Sequence, residues 1–181
     1  MPRNRRPQDR ETKSAEIVAA AATLFADVGY EKTTMAAVAR AAGVTTTTIY
    51  WYVEDKEALL LAVLDHLLAT ILGDLEQLVD RSPTDQLLWI VERLQEQSRL
   101  VTTVHALATT SEAVGAWHDG FHELTDAMLA EGLREVGVPE ERVPAMTRLG
   151  VFAIEGLLMH PLPPQEQRAV LELLTTGHGH G

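Results

Sequence analysis

"TTMAAVARAAGVTTTTIYWYVEDK", residues 33–56, decides the fold of this chain, because it holds two short helical patterns hinged on one glycine. Thr33 or Thr34 can cap the first pattern, "MAAVARAA", and Gly43 ends it, since glycine takes positive φ at no steric cost. Thr45 can cap the second, expected over 46 to about 52. Four consecutive threonines make a poor helix, each costing roughly 0.5 kcal/mol relative to alanine. Tyr50, Trp51 and Tyr52 follow them, three polar-tipped aromatics in a chain that is only 5% aromatic. A segment so costly as a helix core is expected to serve something outside it.

The flanks extend the pattern in both directions. Ile17, Ala21, Leu24, Phe25 and Val28 form one apolar stripe on a helix that starts near Lys13. Gly29 stands where a left-handed residue closes a helix, with apolar Tyr30 after it. On the other side Asp55 caps a longer helix, "KEALLLAVLDHLLATILGDLEQLV", whose first half is apolar nearly all round and should be buried on several sides. Two short helices joined by a tight glycine turn, packed behind a longer one, are the layout of a helix-turn-helix. Past "RSPT" (81–84), helical stretches are expected over 84–98, about 100–109, 112–136, 145–160 and 164–175. The prolines of "VGVPEERVP" and "HPLPP" can start helices at their first turn. No stretch alternates with the period of a strand. The fold class expected is all-α with about nine helices. It divides into a disordered basic arm over 1–11, a helix-turn-helix head over 12–57 and a body over 58–181; the tail "GHGHG" also reads as disorder.

Charge is distributed unevenly between these parts. The net charge is −11, yet residues 1–60 hold eight basic and eight acidic side chains, and the body carries seven against eighteen. Only the N-terminal third is therefore suited to approach a polyanion. There is no cysteine, which excludes disulfides, thiolate zinc sites and a cysteine nucleophile. The longest uninterrupted apolar run, Ala58 to Leu64, is too short to cross a bilayer. "MPRNRRPQDR" lacks the apolar segment of a secretory signal, so a cytoplasmic protein without a membrane partner is expected.

A helix that enters a DNA major groove needs short hydrogen-bonding side chains near its N-terminus. Threonine offers a hydroxyl to a phosphate or base and a methyl to the thymine methyl, and the helix dipole favours a phosphate there. Tyr50 and Trp51 can bring flat apolar surface to the sugars, and Lys56 can pair with a phosphate. From residue chemistry alone a second account stays open: Thr45 only a cap, Thr46 to Thr48 a solvated face, and Tyr50 to Tyr52 packing.

The run "IVAAAATLFADVGYEKTTMAAVARAAGVTTTTIYWYVEDKEALL", residues 17–60, resembles the tetracycline-repressor (TetR) family of bacterial transcription regulators. The residues that carry the likeness are Ile17, Ala20 or Ala21, Leu24, Phe25, Gly29, Tyr30, Thr33, Thr34, Val38, Ala39, Ala42, Gly43, Val44, Ile49, Tyr50, Lys56 and Leu59. Val53 stands where most relatives carry Phe, and Thr47 where many carry Gly. The resemblance implies phosphate contacts from Thr34, Thr48, Tyr52 and Lys56, and base or sugar contacts from Thr46, Thr47, Tyr50 and Trp51. With Thr45 these make the candidate DNA-binding set. It further implies a ligand-responsive homodimeric repressor, released from a palindromic double-stranded operator by a small-molecule effector.

In the body the resemblance carries over as a plan only: a ligand-binding domain that dimerises through its last two long helices. Gly150, Ala153 and Gly156 are small and spaced by three, flanked by Leu149, Phe152 and Leu157, and the last helix offers Val170, Leu173 and Leu174. These nine are the candidate dimer interface, with ordinary packing inside one chain as the alternative. His66, Trp89, His105, Trp117 and Phe121 are candidate pocket residues, a few polar anchors among apolar walls. His118 and His122 are i, i+4 on one helix beside Asp119 and Glu123, a spacing that can hold a divalent metal. Two histidines without a third ligand do not define a site, so no metal, cofactor or catalytic residue is assigned. An enzyme would need an acid–base or nucleophile–base pair in one pocket, and the only local cluster of such groups is this one.

Overall fold

Helical spacing of apolar residues is realised along the whole described chain, residues 5–176 of a computed structural model, with side chains from residue 10 onward. In order the helices are α1 (Arg5–Asp27), α2 (Met35–Ala41), α3 (Thr46–Ile49), α4 (Lys56–Glu76), α5 (Pro83–Glu96), α6 (Ser98–Ala108), α7 (Glu112–Glu135), α8 (Val143–Met159) and α9 (Pro164–Thr175), with no strand among the described residues. The expected disordered arm is corrected over 5–11, which form the first turns of α1. Arginine, glutamine and glutamate are good helix formers, and Pro7 falls in the first turn, where its missing N–H costs nothing. Residues 1–4 and the tail "GHGHG" lie outside the described residues.

Capping settles the head. Thr34, not Thr33, caps α2: its Oγ1 accepts the Ala37 N–H at 3.1 Å. Thr33 is buried and donates its hydroxyl to the Gly29 carbonyl at 2.8 Å, closing the α1–α2 loop. Gly29 (φ 94°) and Gly43 (φ 66°) take the left-handed conformation that each turn requires. α3 ends at Ile49, earlier than the expected 52. The N–H groups of Trp51 and Tyr52 bond to the Thr48 and Ile49 carbonyls three residues back, so the chain turns toward the Asp55 cap of α4.

Ile17, Ala21 and Phe25 of α1, Val38 of α2, Ile49 of α3 and Leu59, Leu60 and Val63 of α4 are buried together. Each of these side chains except Ala21 contributes about 1.5–3 kcal/mol through burial. The same core runs on through Leu100, Val104 and Val114 of α6 and α7. α4 therefore crosses the expected boundary at 57/58 without a break, and its first turns belong to the head. Arg99 on α6 donates to the carbonyls of Ala26, at 3.0 Å, and Asp27, satisfying the last turn of α1. On α7, Trp117 Nε1 donates to Asp65 Oδ1 of α4 at 2.8 Å.

By length and composition α4 is long and apolar enough to cross a membrane, with a mean hydropathy of 1.8 over its best window. That corrects the expectation drawn from the seven-residue run, because the two charges in α4's interior do not interrupt its overall apolarity. Here those side chains have protein destinations: the early ones enter the head core, and Leu64, Leu67, Leu68, Ile71, Leu72 and Leu75 line a cavity. Beneath it α5, α8 and α9 pack around Val91, Leu157, Leu171 and Leu174. Gly150 lets α8 close onto α7, since a Cβ there would lie 2.7 Å from Leu129 Cδ2.

Candidate nucleic-acid interface and body cavity

The outer face of the head gathers short hydroxyls and two rings. Thr46, Thr47, Tyr50 and Trp51 line one open concavity, with Tyr50 51% and Trp51 77% exposed. Thr45 and Thr48 are engaged with each other. Thr45 Oγ1 accepts the Thr48 N–H at 3.1 Å, and the two hydroxyls meet at 2.7 Å. This arrangement stiffens a helix of only four residues and fixes where its neighbours' hydroxyls stand. Thr34 is exposed one helix away, its oxygen shared with the α2 cap.

Two residues of the candidate set are drawn inward. Tyr52 is half-buried against the head core. Lys56 places its ammonium 4.2 Å from the Tyr30 ring centroid and donates to the Glu31 carbonyl at 3.3 Å, so the expected phosphate pairing is not the geometry observed. The Tyr30 face offers a cation–π contact close at hand, and that competes with reaching outward. Burial, with Glu57, Glu31 and Asp55 nearby, raises the Tyr30 phenol above its ordinary value, which keeps the ring neutral under the ammonium.

The body holds a partly open cavity of about 240 Å³ between α4, α5, α6, α7 and α8, almost wholly apolar in its walls. Of the five candidate pocket residues it gathers His105, Trp117 and Phe121, the last two rings stacked at 5.5 Å. His66 and Trp89 are corrected. His66 is exposed, and Trp89 lies under Arg93 at 5.8 Å; neither lines the cavity, because residues on one helix with the wrong phase face away from it. Missed from the sequence were the contributions of Glu155 and Thr125, and the convergence of His118 and His122 on the same wall.

The candidate interface divides as well. Leu149, Phe152 (63% exposed), Gly156 and Leu173 (75% exposed) are open on α8 and α9, with Met159 beside them. Gly150, Leu157 and Leu174 are buried inside their own chain, and Ala153 and Val170 pack on the same intrachain core. The three buried residues are corrected, since small and apolar residues at helical spacing serve whichever neighbour lies nearest; Ala153 and Val170 keep part of their surface open.

The head thus has a helix-turn-helix arrangement, its third helix facing outward on a helical body. Residues 17–63, about a quarter of the chain, match the family model of bacterial regulatory proteins, tetR family. No curated protein matches the sequence. Among solved structures the fold is similar to that of a transcriptional regulator from Rhodococcus sp. RHA1 (18% identity, 90% of this chain and 93% of that one, TM-score 0.70). A TetR transcription regulator from Haloarcula marismortui is similar at 20% identity, 91% and 93% coverage and TM-score 0.64. A protein from Saccharomonospora viridis, described as a transcriptional regulator and solved in complex with choline, is similar at 16% identity, 90% and 94% coverage and TM-score 0.70.

Proposed function

We propose that the chain is a cytoplasmic, homodimeric repressor, and not an enzyme, that releases a palindromic operator when a small molecule occupies the body cavity. The observation that carries this is the Thr46–Thr47–Tyr50–Trp51 face. Two large rings left in water beside short hydroxyls are poorly explained by packing and well suited to sugars and base edges. Thr34 and Thr48 border it and are proposed as phosphate contacts; Lys56 would join them by leaving the Tyr30 ring. The exposed apolar strip of Leu149, Phe152, Gly156 and Leu173 is proposed to pair with its copy, which would present two α3 helices about 34 Å apart to successive major grooves.

The cavity supports a small, largely apolar effector anchored by a few polar groups. Coupling between effector and DNA is expected to amount to about 1–3 kcal/mol and to be reciprocal. The test is binding of the full chain to random-sequence duplex over a salt series, followed by selection of preferred fragments. Affinity that falls steeply with salt, together with selected sites showing two-fold symmetry, supports the proposal. A chain that binds no duplex at low salt refutes it.

A further inference from the structure

Three imidazoles converge at one edge of the cavity, His105 exposed and His118 and His122 half-buried. His105 of α6 and His118 and His122 of α7 bring one ligand nitrogen each within 4.8 Å of the others. The Nε2 atoms of His118 and His122 are 3.2 Å apart. A tetrahedral ion with metal–nitrogen bonds of about 2.05 Å sets its ligand nitrogens about 3.4 Å from each other, so this pair already stands at the edge length of such a site. Spacing of i, i+4 holds both rings on one face of α7. Glu155 of α8 brings Oε1 to 3.8 Å from His122 Nε2, beside the three-imidazole group and outside it, from where a side-chain rotation can complete the shell. Asp119 Oδ1 lies 3.7 Å from His118 Nδ1, beyond hydrogen-bonding distance, and takes no part in the site as it stands.

We propose that His105, His118, His122 and Glu155 form a binding site for one divalent transition-metal ion of the zinc class, set in the wall of the body cavity. Imidazole nitrogens suit zinc, cobalt and nickel, whereas calcium and magnesium demand oxygen-rich shells. The ion would tie α6, α7 and α8 together. Of these, α6 and α7 hold the head through Arg99 and Trp117. The site deepens the reading of the cavity as an effector pocket and rests on it for its regulatory consequence: metal occupancy should change operator affinity. For binding itself it stands on the four side chains alone.

Full-length chain, stripped with a chelator, is titrated with Co²⁺ and with Zn²⁺, following the visible absorption of bound cobalt, calorimetric stoichiometry and thermal unfolding. One ion per chain is expected, with the cobalt spectrum of a four-coordinate nitrogen–oxygen site. Affinity should fall about 100-fold or more in His118→Ala, His122→Ala and His105→Asn, and about tenfold in Glu155→Gln. His66→Gln, on an exposed position of α4, should leave it unchanged. His178→Gln with His180→Gln should do the same, which separates the cavity from the imidazoles of the tail. Circular dichroism of each variant checks that it folds, with His118→Gln and His122→Asn as replacements for any that does not. Absence of binding, binding indifferent to His118 and His122, or binding lost in the tail variant overturns the site. A chain that takes no metal yet binds duplex DNA overturns the site and leaves the regulator standing. One that takes metal with this variant pattern but binds no DNA keeps the site and overturns the regulator.

Discussion

Trp51→Ala separates an outward-facing ring from a packing residue by two measurements on one variant. Trp51 is 77% exposed, so folding hides about a quarter of its surface. Taking about 250 Å² for a tryptophan, that is about 60 Å², worth at most about 1.5 kcal/mol at 25 cal/mol per Å². Unfolding in urea should therefore show a loss of about 1.5 kcal/mol or less, with an unchanged m-value. In the proposed dimer the ring is removed from both half-sites. A contact worth about 1 kcal/mol at each costs about 2 kcal/mol per complex, roughly a thirtyfold rise in operator Kd. Fluorescence anisotropy at fixed salt measures it on operator and on random duplex. Loss on both, with the salt slope unchanged because no charge is removed, places the ring on sugar or backbone; loss on operator alone places it on a base edge. A stability loss above about 3 kcal/mol with operator affinity intact would refute the outward assignment.

Thr45→Ala removes the α3 cap and the partner of the Thr48 hydroxyl and should cost about 0.5–2 kcal/mol in urea unfolding. Thr45→Asp should keep the cap but weaken DNA binding by repelling phosphate, so equal DNA affinity in both variants counts against a nearby backbone. Phe152→Glu with Leu173→Glu, both exposed, should leave the fold intact and shift sedimentation from dimer to monomer; an unchanged dimer relocates the interface. Trp117→Phe loses the bond to Asp65 and should alter the effector response while nearly preserving operator affinity without effector; equal loss of both makes Trp117 part of the core. The Ser82 hydroxyl and then Arg168 hold the Asp85 carboxyl below its ordinary 3.8. Its stabilising share is therefore fully present above that value and lost as pH falls through the lowered one. Arg168→Gln should flatten this acid limb in a stability-versus-pH series, and an unaltered limb would show that the pair contributes nothing.

Local chemistry made the head legible in advance. Asp55 and Thr45 announce helix starts by capping, Gly29 and Gly43 announce turns by conformational freedom, and Ile17, Ala21 and Phe25 announce a buried face by their period. Each signal lies within a few residues of the structure it dictates. What the sequence hid is set by helices meeting across the chain. Periodicity marks Gly150, Leu157 and Leu174 as helix-packing residues but does not name the partner helix, which proved to be their own chain's. The same limit concealed the third histidine: His118 and His122 are visible as a pair on α7, whereas His105 joins them only because α6 and α7 pack side by side. Lys56 shows the limit in miniature. Its charge and position suggested a phosphate, and the ring that competes for it comes from a loop some two dozen residues upstream.

α4 is the element through which cavity and head can communicate. Its first turns place Leu59, Leu60 and Val63 in the head core, and its later turns place Leu67, Ile71 and Leu75 along the cavity. A helix of 21 residues is a rod of about 32 Å, so a tilt of about 10° moves one end relative to the other by about 5–6 Å. In the proposed dimer, two heads spaced about 34 Å apart on DNA would tolerate little displacement of that size. Tightness of binding alone does not produce the tilt, because a ligand shifts an equilibrium only by its preference for one state over the other. In the described state the cavity is bounded by α4 on one side and by the His105–His118–His122 wall on the other. An effector that spans both must hold them at its own width. On the proposed reading, a molecule wider than the present gap should favour the tilted rod and release DNA, and one that fits the gap as it stands should tighten it. A series of ligands graded in width should then reverse the sign of the effect on operator affinity, and a sign that does not change with width refutes this coupling.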